Sequence, residues 1–323
     1  MQTDHAALPP YPIIAGPTAS GKTAVAVGLA KRIGGEVVSA DSMQIYADVS
    51  VGTARPSLEE MAGVPHHLLG FLPLHESYSV ARYVEDADAV FSEVLTRGHT
   101  PILCGGTGLY IQSFADHLIF TQEESDPDLR DRLQREADTL GGAAMLARLA
   151  TVDPETAARL HENDLNRIIR ALEVYYTTGH TIAEQVAASR QAPSPYRPYL
   201  FVLNFHDRDM LYDRINRRVE QMMANGLVDE AARVLAQDPR ATVLQAIGYK
   251  ELLPYLSGEV SLDEALEALK RGTRHYAKRQ LSWFRRMVDS REDSRMIYMD
   301  DYADAADAVS DIERIFGEFC ERR

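Results

Sequence analysis

Short, nearly unbroken apolar runs alternate along this chain with longer stretches in which apolar residues recur every three or four positions. "YPIIAG" (11–16), "GEVVSADS" (35–42), "TPILCGG" (100–106) and "YLFVLNF" (199–205) are too short for helices and read as buried strands. "KTAVAVGLAKRIG" and "YSVARYVEDADAVFSEVLTRG" have helical spacing and stop at Gly34 and Gly98. Strands alternating with helices predict a parallel α/β sheet with right-handed crossovers.

The pattern changes over residues 126–179. "SDPDLRDRLQREA", "VDPETAARLH" and "ENDLNRIIRALEVYYTTG" are helical segments with no strand-like run between them. Asp126-Pro127 and Asp153-Pro154 combine an N-cap with a first-turn proline, and Gly179 is a stop signal. "RQAPSPYRPY" then returns the chain to the sheet. The expected organisation is a core of residues 1–118 and 199–323, interrupted by a helical insertion over 119–198. Long helices are expected from Asp209 to the end.

Composition narrows the class. The apolar and charged fractions, 45% and 25%, are those of a soluble globular protein. No apolar run is long enough to span a membrane, and "MQTDHAALPPYP" lacks the basic and apolar regions of a signal peptide. Two cysteines, Cys104 and Cys320, are too few for a disulfide framework or a zinc finger, which fits a reducing cytoplasm. A formal charge of −14 argues against a polyanionic partner, because phosphate contacts supply most nucleic-acid affinity. A footprint is local, however. Residues 270–286, "KRGTRHYAKRQLSWFRR", carry seven Lys or Arg and no acid, which points towards an anionic partner. No heptad seam is evident, and a monomer is the default.

The candidate chemistry sits where strands end. "GPTASGKT" has P-loop spacing between a strand and a helix. Gly16, Pro17, Thr18, Ala19, Ser20 and Gly21 form the turn whose N–H groups converge on phosphate oxygens, with the positive end of a helix dipole beyond. Lys22 adds a point charge and Thr23 a hydroxyl for Mg2+. The motif reports a pyrophosphate or polyphosphate without identifying its carrier. The later strand that should supply a magnesium-holding acid reads "PILCGGTGLY", with Thr107 where the acid would be. Asp41 closes the neighbouring strand at the carboxyl edge, where open α/β sheets bind ligands. Ionised at neutral pH, a carboxylate there can accept a hydrogen from a nucleophile or simply cap the next turn. Glycines 105, 106 and 108 let the backbone at Thr107 approach a ligand, or serve an ordinary turn.

"GPTASGKT", "SADSMQIY", "GTARP", "PHHLL", "GGTGLY", "LNRIIRALEV", "RINRRVEQMMANGLVDEA", "AIGYKEL" and "KRQLSWFRR" occur in this order, and together resemble the bacterial tRNA dimethylallyltransferases over nearly the whole chain. The resemblance implies a P-loop NTPase-like α/β core with a helical insertion, a Mg2+ requirement, and transfer of a dimethylallyl group from its diphosphate. The acceptor would be N6 of adenosine 37, beside the anticodon, in tRNAs reading codons that start with U. The P-loop would then hold the diphosphate of an isoprenoid. By resemblance Asp41 takes the N6 hydrogen, Thr107 lies near the reacting groups, and Arg214 and Arg218 clamp the diphosphate, with Arg217 adjoining.

Residues matching tRNA-contacting segments are Asp41, Ser42, Met43, Gln44 and Thr107 at the base entrance, Arg130, and Asn166, Arg167, Ile168, Ile169 and Arg170. Gln245, Ala246, Ile247, Gly248, Tyr249 and Lys250 match a further segment, and Lys278, Arg279, Gln280, Trp283 and Arg285 the last. Extruding the base costs a few kcal/mol, and stacking returns roughly 1–3 kcal/mol per base. Trp283, the sole tryptophan, is either such a platform or a core aromatic. His66 and His67 are adjacent and read as structural; beyond them Gly70 and Leu72 stand where the family usually has acids. Two other enzyme readings compete. A small-molecule kinase leaves the missing acid and the basic run unexplained, and an AMP prenyltransferase leaves the insertion and that run idle. A non-catalytic RNA-binding module leaves the P-loop and Asp41 unused.

Overall fold

In the computed structural model the described residues are 8–118, 127–189, 194–237, 239, 241–244 and 246–322. The chain divides into two compact units, 1–115 with 195–323 and 116–194. The expected boundaries were 118/119 and 198/199.

The larger unit is built on six strands, β1 (Pro10–Ala15), β2 (Gly35–Ala40), β3 (His66–His67), β4 (Thr100–Gly105), β5 (Arg197–Asn204) and β6 (Ser294–Tyr298). They pair in the order β3-β2-β4-β1-β5-β6, every pairing parallel. Alternate residues of the strands feed two cores. Ile14, Val37, Ile102, Phe201, Leu203 and Ile297 pack against the helices Lys22–Ile33 and Ala305–Glu321. Ile13, Val38, Leu103, Leu200 and Val202 pack against Val80–Thr96, Gly108–Ala115 and the long helix Leu262–Asp289. Both faces being covered, the strands carry continuous apolar runs, as buried parallel sheets do.

Two strands escape the apolar pattern. His66 and His67 form β3, pairing with Val37 and Val38 at the edge. "SRMIY" forms β6 against β5, so helices alone do not complete the chain after Asp209. An edge strand needs only one buried neighbour, and its sequence is correspondingly polar.

The long helix starts at a capping box. Ser261 Oγ accepts from the Glu264 N–H at 3.3 Å and the Glu264 carboxylate accepts from the Ser261 N–H at 2.8 Å, worth about 1 kcal/mol. Its buried stripe, Ala265, Leu269, Thr273, Ala277, Leu281, Phe284 and Met287, runs at helical spacing. Lys270 pairs with Glu220 at 2.9 Å and Arg274 donates to Asn216 at 2.7 Å, bracing the helix Arg208–Ala224. Two cations of the basic run therefore serve internal packing.

The second unit is helical. Pro127–Leu140, Gly142–Val152, Pro154–Ala157, Leu165–Thr178 and Ile182–Ser189 enclose a core that includes Leu133, Met145, Leu149, Ile168, Ile169 and Leu172. Asp153 caps its helix by accepting from the Thr156 N–H at 2.9 Å, and Gly179 ends another with φ 74°. Asp126 lies outside the described residues. No helix among the described residues is long and apolar enough to cross a membrane.

Candidate active site

Strands β2, β4 and β1 are neighbours, so the three loops that leave their carboxyl ends meet above the sheet. They border a cavity of about 290 Å3. Of the residues marked by the sequence, Thr18, Lys22, Thr23, Asp41, Ser42, Met43, Gln44, Ala246, Ile247, Lys250, Arg218, Arg279 and Gln280 line it.

The loop after β1 needs its glycines. At Gly16 φ is 149°, and a Cβ there would stand 2.7 Å from the Leu203 carbonyl oxygen of β5. Gly21 is the N-cap of the following helix and has no side chain to satisfy the first-turn N–H groups, which suits an anion. Lys22 Nζ donates to the Pro17 carbonyl at 2.7 Å. Burial pulls its pKa down to about 8; Arg218 adds to this, while Cys104 and Asp41 oppose it. Arg214 Nε donates to the Ala19 carbonyl at 2.9 Å, so it fastens the loop from outside while its guanidinium lies over the Phe205 ring.

Asp41 divides its two oxygens. Oδ1 accepts from the Met43 and Gln44 N–H groups at 2.9 and 3.3 Å, capping the turn after β2. The same carboxylate lines the cavity. The turn cap is thus observed, and the same residue stands in the cavity wall. Arg218, one helical step from exposed Arg217, faces the cavity and donates to the Ala54 carbonyl at 3.4 Å. Burial lowers its pKa and the Asp41 charge raises it.

Thr107 lies beside the cavity, turned towards Ser42. Its Oγ1 accepts from the Ser42 N–H at 3.0 Å and donates to Ser42 Oγ at 3.3 Å, joining the loops after β2 and β4. Tyr276, on the long helix and in the cavity wall, stands near the Thr107 side chain, and burial raises its pKa well above the usual phenol range. Cys104 lies nearby, and burial pushes its thiol up to about 12. Val219, Met222 and Leu269 add apolar lining.

Sequence reasoning passed over two organisers. The Glu230 carboxylate accepts from the Ser50, Val51 and Gly52 N–H groups at 2.9, 2.8 and 2.7 Å and from the Tyr249 hydroxyl at 2.9 Å. This fixes the turn that leads to Thr53 and Ala54, whose carbonyls accept from Gln44 Nε2 at 3.2 and 3.3 Å. Tyr276 is the second. Glu230 stands in a motif quoted above and Tyr276 in the basic run, but nothing local marks them. At the departure from the family pattern, the Arg55 guanidinium packs over Gly70 and donates to the Tyr46 and Ala47 carbonyls at 3.2 and 3.1 Å.

Several residues assigned to tRNA are elsewhere. Ile168 and Ile169 are 0% and 1% exposed in the core of the second unit, and Tyr249 is fully buried on Glu230. Gly248 is buried as well. Burial leaves these four no surface for RNA, because a helical run alternates buried and exposed positions. Gln280 is buried and holds two loops, and Trp283 packs over Gly108 beside the second sheet core. Asn166, Arg167, Arg170 and Arg130 are exposed in the second unit, where Arg130 and Arg170 pair with buried Glu173 at 3.2 and 3.0 Å. Lys278, Arg279 and Arg285 are exposed on the long helix. Gln245 lies outside the described residues. His66 Nδ1 meets the Val64 carbonyl at 2.9 Å and His67 Nε2 meets the Glu36 carboxylate at 2.6 Å. No trio of His, Cys, Asp or Glu suited to a metal exists among the described residues.

The family model described as IPP transferase matches residues 44–287. The tRNA dimethylallyltransferase of Caldanaerobacter subterraneus subsp. tengcongensis is 45% identical over 293 residues, covering 90% of this chain and 92% of that one. A crystal structure of the full-length tRNA isopentenylpyrophosphate transferase from Bacillus halodurans matches with a TM-score of 0.70 at 40% identity, over 96% of both chains. A eukaryotic dimethylallyltransferase acting on tRNA, seen in crystallographic snapshots, matches with a TM-score of 0.83 at 28% identity, over 98% of this chain and 80% of that one. With the family model spanning most of its length and a relative this similar along nine-tenths of it, the chain belongs to the IPP transferase family.

Proposed function

We propose that the protein is a tRNA dimethylallyltransferase that moves a dimethylallyl group from dimethylallyl diphosphate to N6 of adenosine 37, in tRNAs reading codons that begin with U. The observation that carries this reading is the joint lining of one cavity by a cationic loop, a carboxylate and apolar side chains, in a chain of this family.

In this reading the glycine-rich loop, Lys22 and Arg218 hold the diphosphate, aimed at the oxygen that becomes negative as the allylic C1–O bond breaks. Arg214 keeps the loop in shape. The electron pair of that bond leaves with diphosphate, the N6 lone pair forms the new N–C1 bond, and the N6 proton passes to the free oxygen of Asp41 and then to solvent. The adenine amine is a poor nucleophile because its lone pair is delocalised, so its orientation by Asp41 counts as much as the proton transfer. Thr107 sets the distance between the Asp41 loop and the loop after β4. Val219, Met222 and Leu269 exclude water from the allylic carbon.

Thr23 is the protein donor for Mg2+. Thr23 lines the cavity, and a single hydroxyl suits an ion that takes most of its ligands from phosphate and water. Bound there, the ion supplies charge neutralisation for the leaving diphosphate. Lys278, Arg279, Arg285 and Lys250, with Arg130, Asn166, Arg167 and Arg170 of the second unit, are the proposed contacts to tRNA. The protein is proposed to act as a cytoplasmic monomer.

The test is transfer of label. Incubation with Mg2+, labelled dimethylallyl diphosphate and unmodified tRNA or AMP should put label into tRNA alone, at N6 of the base beside the anticodon. Label in AMP instead, or phosphate passing from labelled ATP to a small molecule, would overturn the reading.

A further inference from the structure

Gln280 stands in the middle of the basic run of the long helix, among residues whose motif suggests RNA contact. Its side chain is committed elsewhere. The residue is 7% exposed, Oε1 accepts from the Thr18 N–H at 2.9 Å, and Nε2 donates to the Gly106 carbonyl at 2.8 Å. Thr18 belongs to the glycine-rich loop and Gly106 directly precedes Thr107. One amide therefore ties the loops after β1 and β4 to the same helix.

Its surroundings act in the same sense. Tyr276, one turn earlier, stands near the Thr107 side chain, and Trp283, three residues later, packs over Gly108. Ala277, Leu281 and Phe284 anchor that face in the core, while Lys278, Arg279 and Arg285 stay exposed. Gly106 has no room for a side chain: a Cβ would stand 2.5 Å from Gln280 Nε2. The helix thus presents cations on one side and grips two cavity loops with the other. A buried amide with both ends on backbone partners has little left to offer RNA.

We propose that Gln280 is a positioning residue that fastens the glycine-rich loop and the Thr107 loop to the long helix, governing diphosphate binding and turnover and leaving tRNA affinity alone. The inference rests on the function proposed above for what the loops hold. It replaces the tRNA-contacting role implied by the motif.

The experiment compares wild type with Gln280→Ala, Gln280→Glu and Gly106→Ala. Affinity for inorganic pyrophosphate with Mg2+ is measured by calorimetry without RNA, tRNA affinity by fluorescence anisotropy, and kcat and both KM values by label transfer. Gln280→Ala is expected to weaken pyrophosphate binding about tenfold and to lower kcat on the order of 10–100-fold, as loss of alignment does. Its tRNA affinity should stay within about twofold of wild type. Gln280→Glu keeps an acceptor for Thr18 but loses the donor to Gly106 and adds a negative charge, so its pyrophosphate binding should be weaker still. Gly106→Ala displaces the amide while leaving residue 280 intact, and should reproduce the Gln280→Ala pattern. Weakened tRNA affinity with unchanged pyrophosphate binding would make Gln280 an RNA contact and overturn the proposal. So would variants that lose only melting temperature. If wild type transfers no prenyl group to tRNA, the pyrophosphate arm still decides the role of Gln280, and only the function reading fails.

Discussion

Lys22 offers a quantitative test of whether the cavity is an anion site. In the free protein its ammonium is held by burial to a pKa of about 8, with its Nζ on the Pro17 carbonyl. A bound diphosphate favours the charged form and raises that pKa. Below pH 8 the lysine is already protonated, and binding needs no proton. Above pH 8 each binding event takes one up, so affinity falls about tenfold per pH unit until the pKa of the complex is reached. Between pH 7 and 9.5 the loss should be on the order of 30-fold, or about 2 kcal/mol. The depressed pKa also means that the unfolded chain binds more protons than the folded one above pH 8. Stability of the free protein should therefore rise with pH there, opposite to the trend in affinity. Dimethylallyl diphosphate is a suitable titrant, since phosphate esters complete their ionisation near pH 6, well below the window. Calorimetry in buffers of different ionisation enthalpy should count about zero protons at pH 7 and nearly one at pH 9.5. Lys22→Arg, whose side chain stays charged, should bind without that slope. A flat affinity, or the same slope in the arginine variant, would refute the argument.

Asp41→Ala should lower kcat by about 10²–10⁴-fold while leaving tRNA affinity unchanged, and near-normal turnover would remove its role as proton acceptor. Glu36 is 3% exposed, and its carboxyl is held down to about 2, chiefly by hydrogen bonds from Arg97 and further by His67 and His99. It therefore contributes stability above its unfolded pKa of about 4.3 that disappears as pH falls towards 2, up to about 3 kcal/mol. Urea melts should show Glu36→Gln less stable than wild type at pH 7 and equal to it near pH 2; equal stability at pH 7 would exclude the contribution. Glu230→Ala strands three loop amides and the Tyr249 hydroxyl, and should cost about 3–5 kcal/mol in the same melts, with a cost below 1 kcal/mol contradicting its role. Lys278→Ala should flatten the dependence of log tRNA affinity on log salt by about 0.7–0.9, and an unchanged slope would take it out of the footprint.

The parts of the fold that were legible share a local cause. A phosphate cradle requires glycine at fixed offsets after an apolar strand, and a buried parallel strand requires a continuous apolar run, so β1, β2, β4, β5 and the loop after β1 could be read directly. Strands β3 and β6 could not, because an edge position demands little of its side chains. Glu230 and Gln280 were illegible for another reason. The loop amides held by Glu230 lie 178 or more positions away and the partners of Gln280 174 or more, and no short window holds both ends of such a bond. Ile168, Ile169 and Tyr249 show the opposite error. A motif matched as an unbroken run carries buried and exposed positions together, whereas helical geometry leaves only one side at the surface, here Asn166, Arg167 and Arg170.

The same division explains how a chain with a formal charge of −14 keeps a cationic cavity. Lys22, Arg218, Lys250 and Arg279 line it, against the single carboxylate of Asp41. The buried acids of the larger unit are engaged elsewhere: Glu36 holds Arg97, His67 and His99 near the start of β2, and Glu230 turns both oxygens onto loop amides and Tyr249. Each is satisfied by hydrogen bonds and neither lines the cavity, so Asp41 is the one acid in its wall. A chain of negative net charge with a cationic hollow repels a polyanion at long range and attracts it only at contact. Encounter with tRNA should therefore accelerate when modest salt screens the surface, before higher salt weakens the contacts themselves.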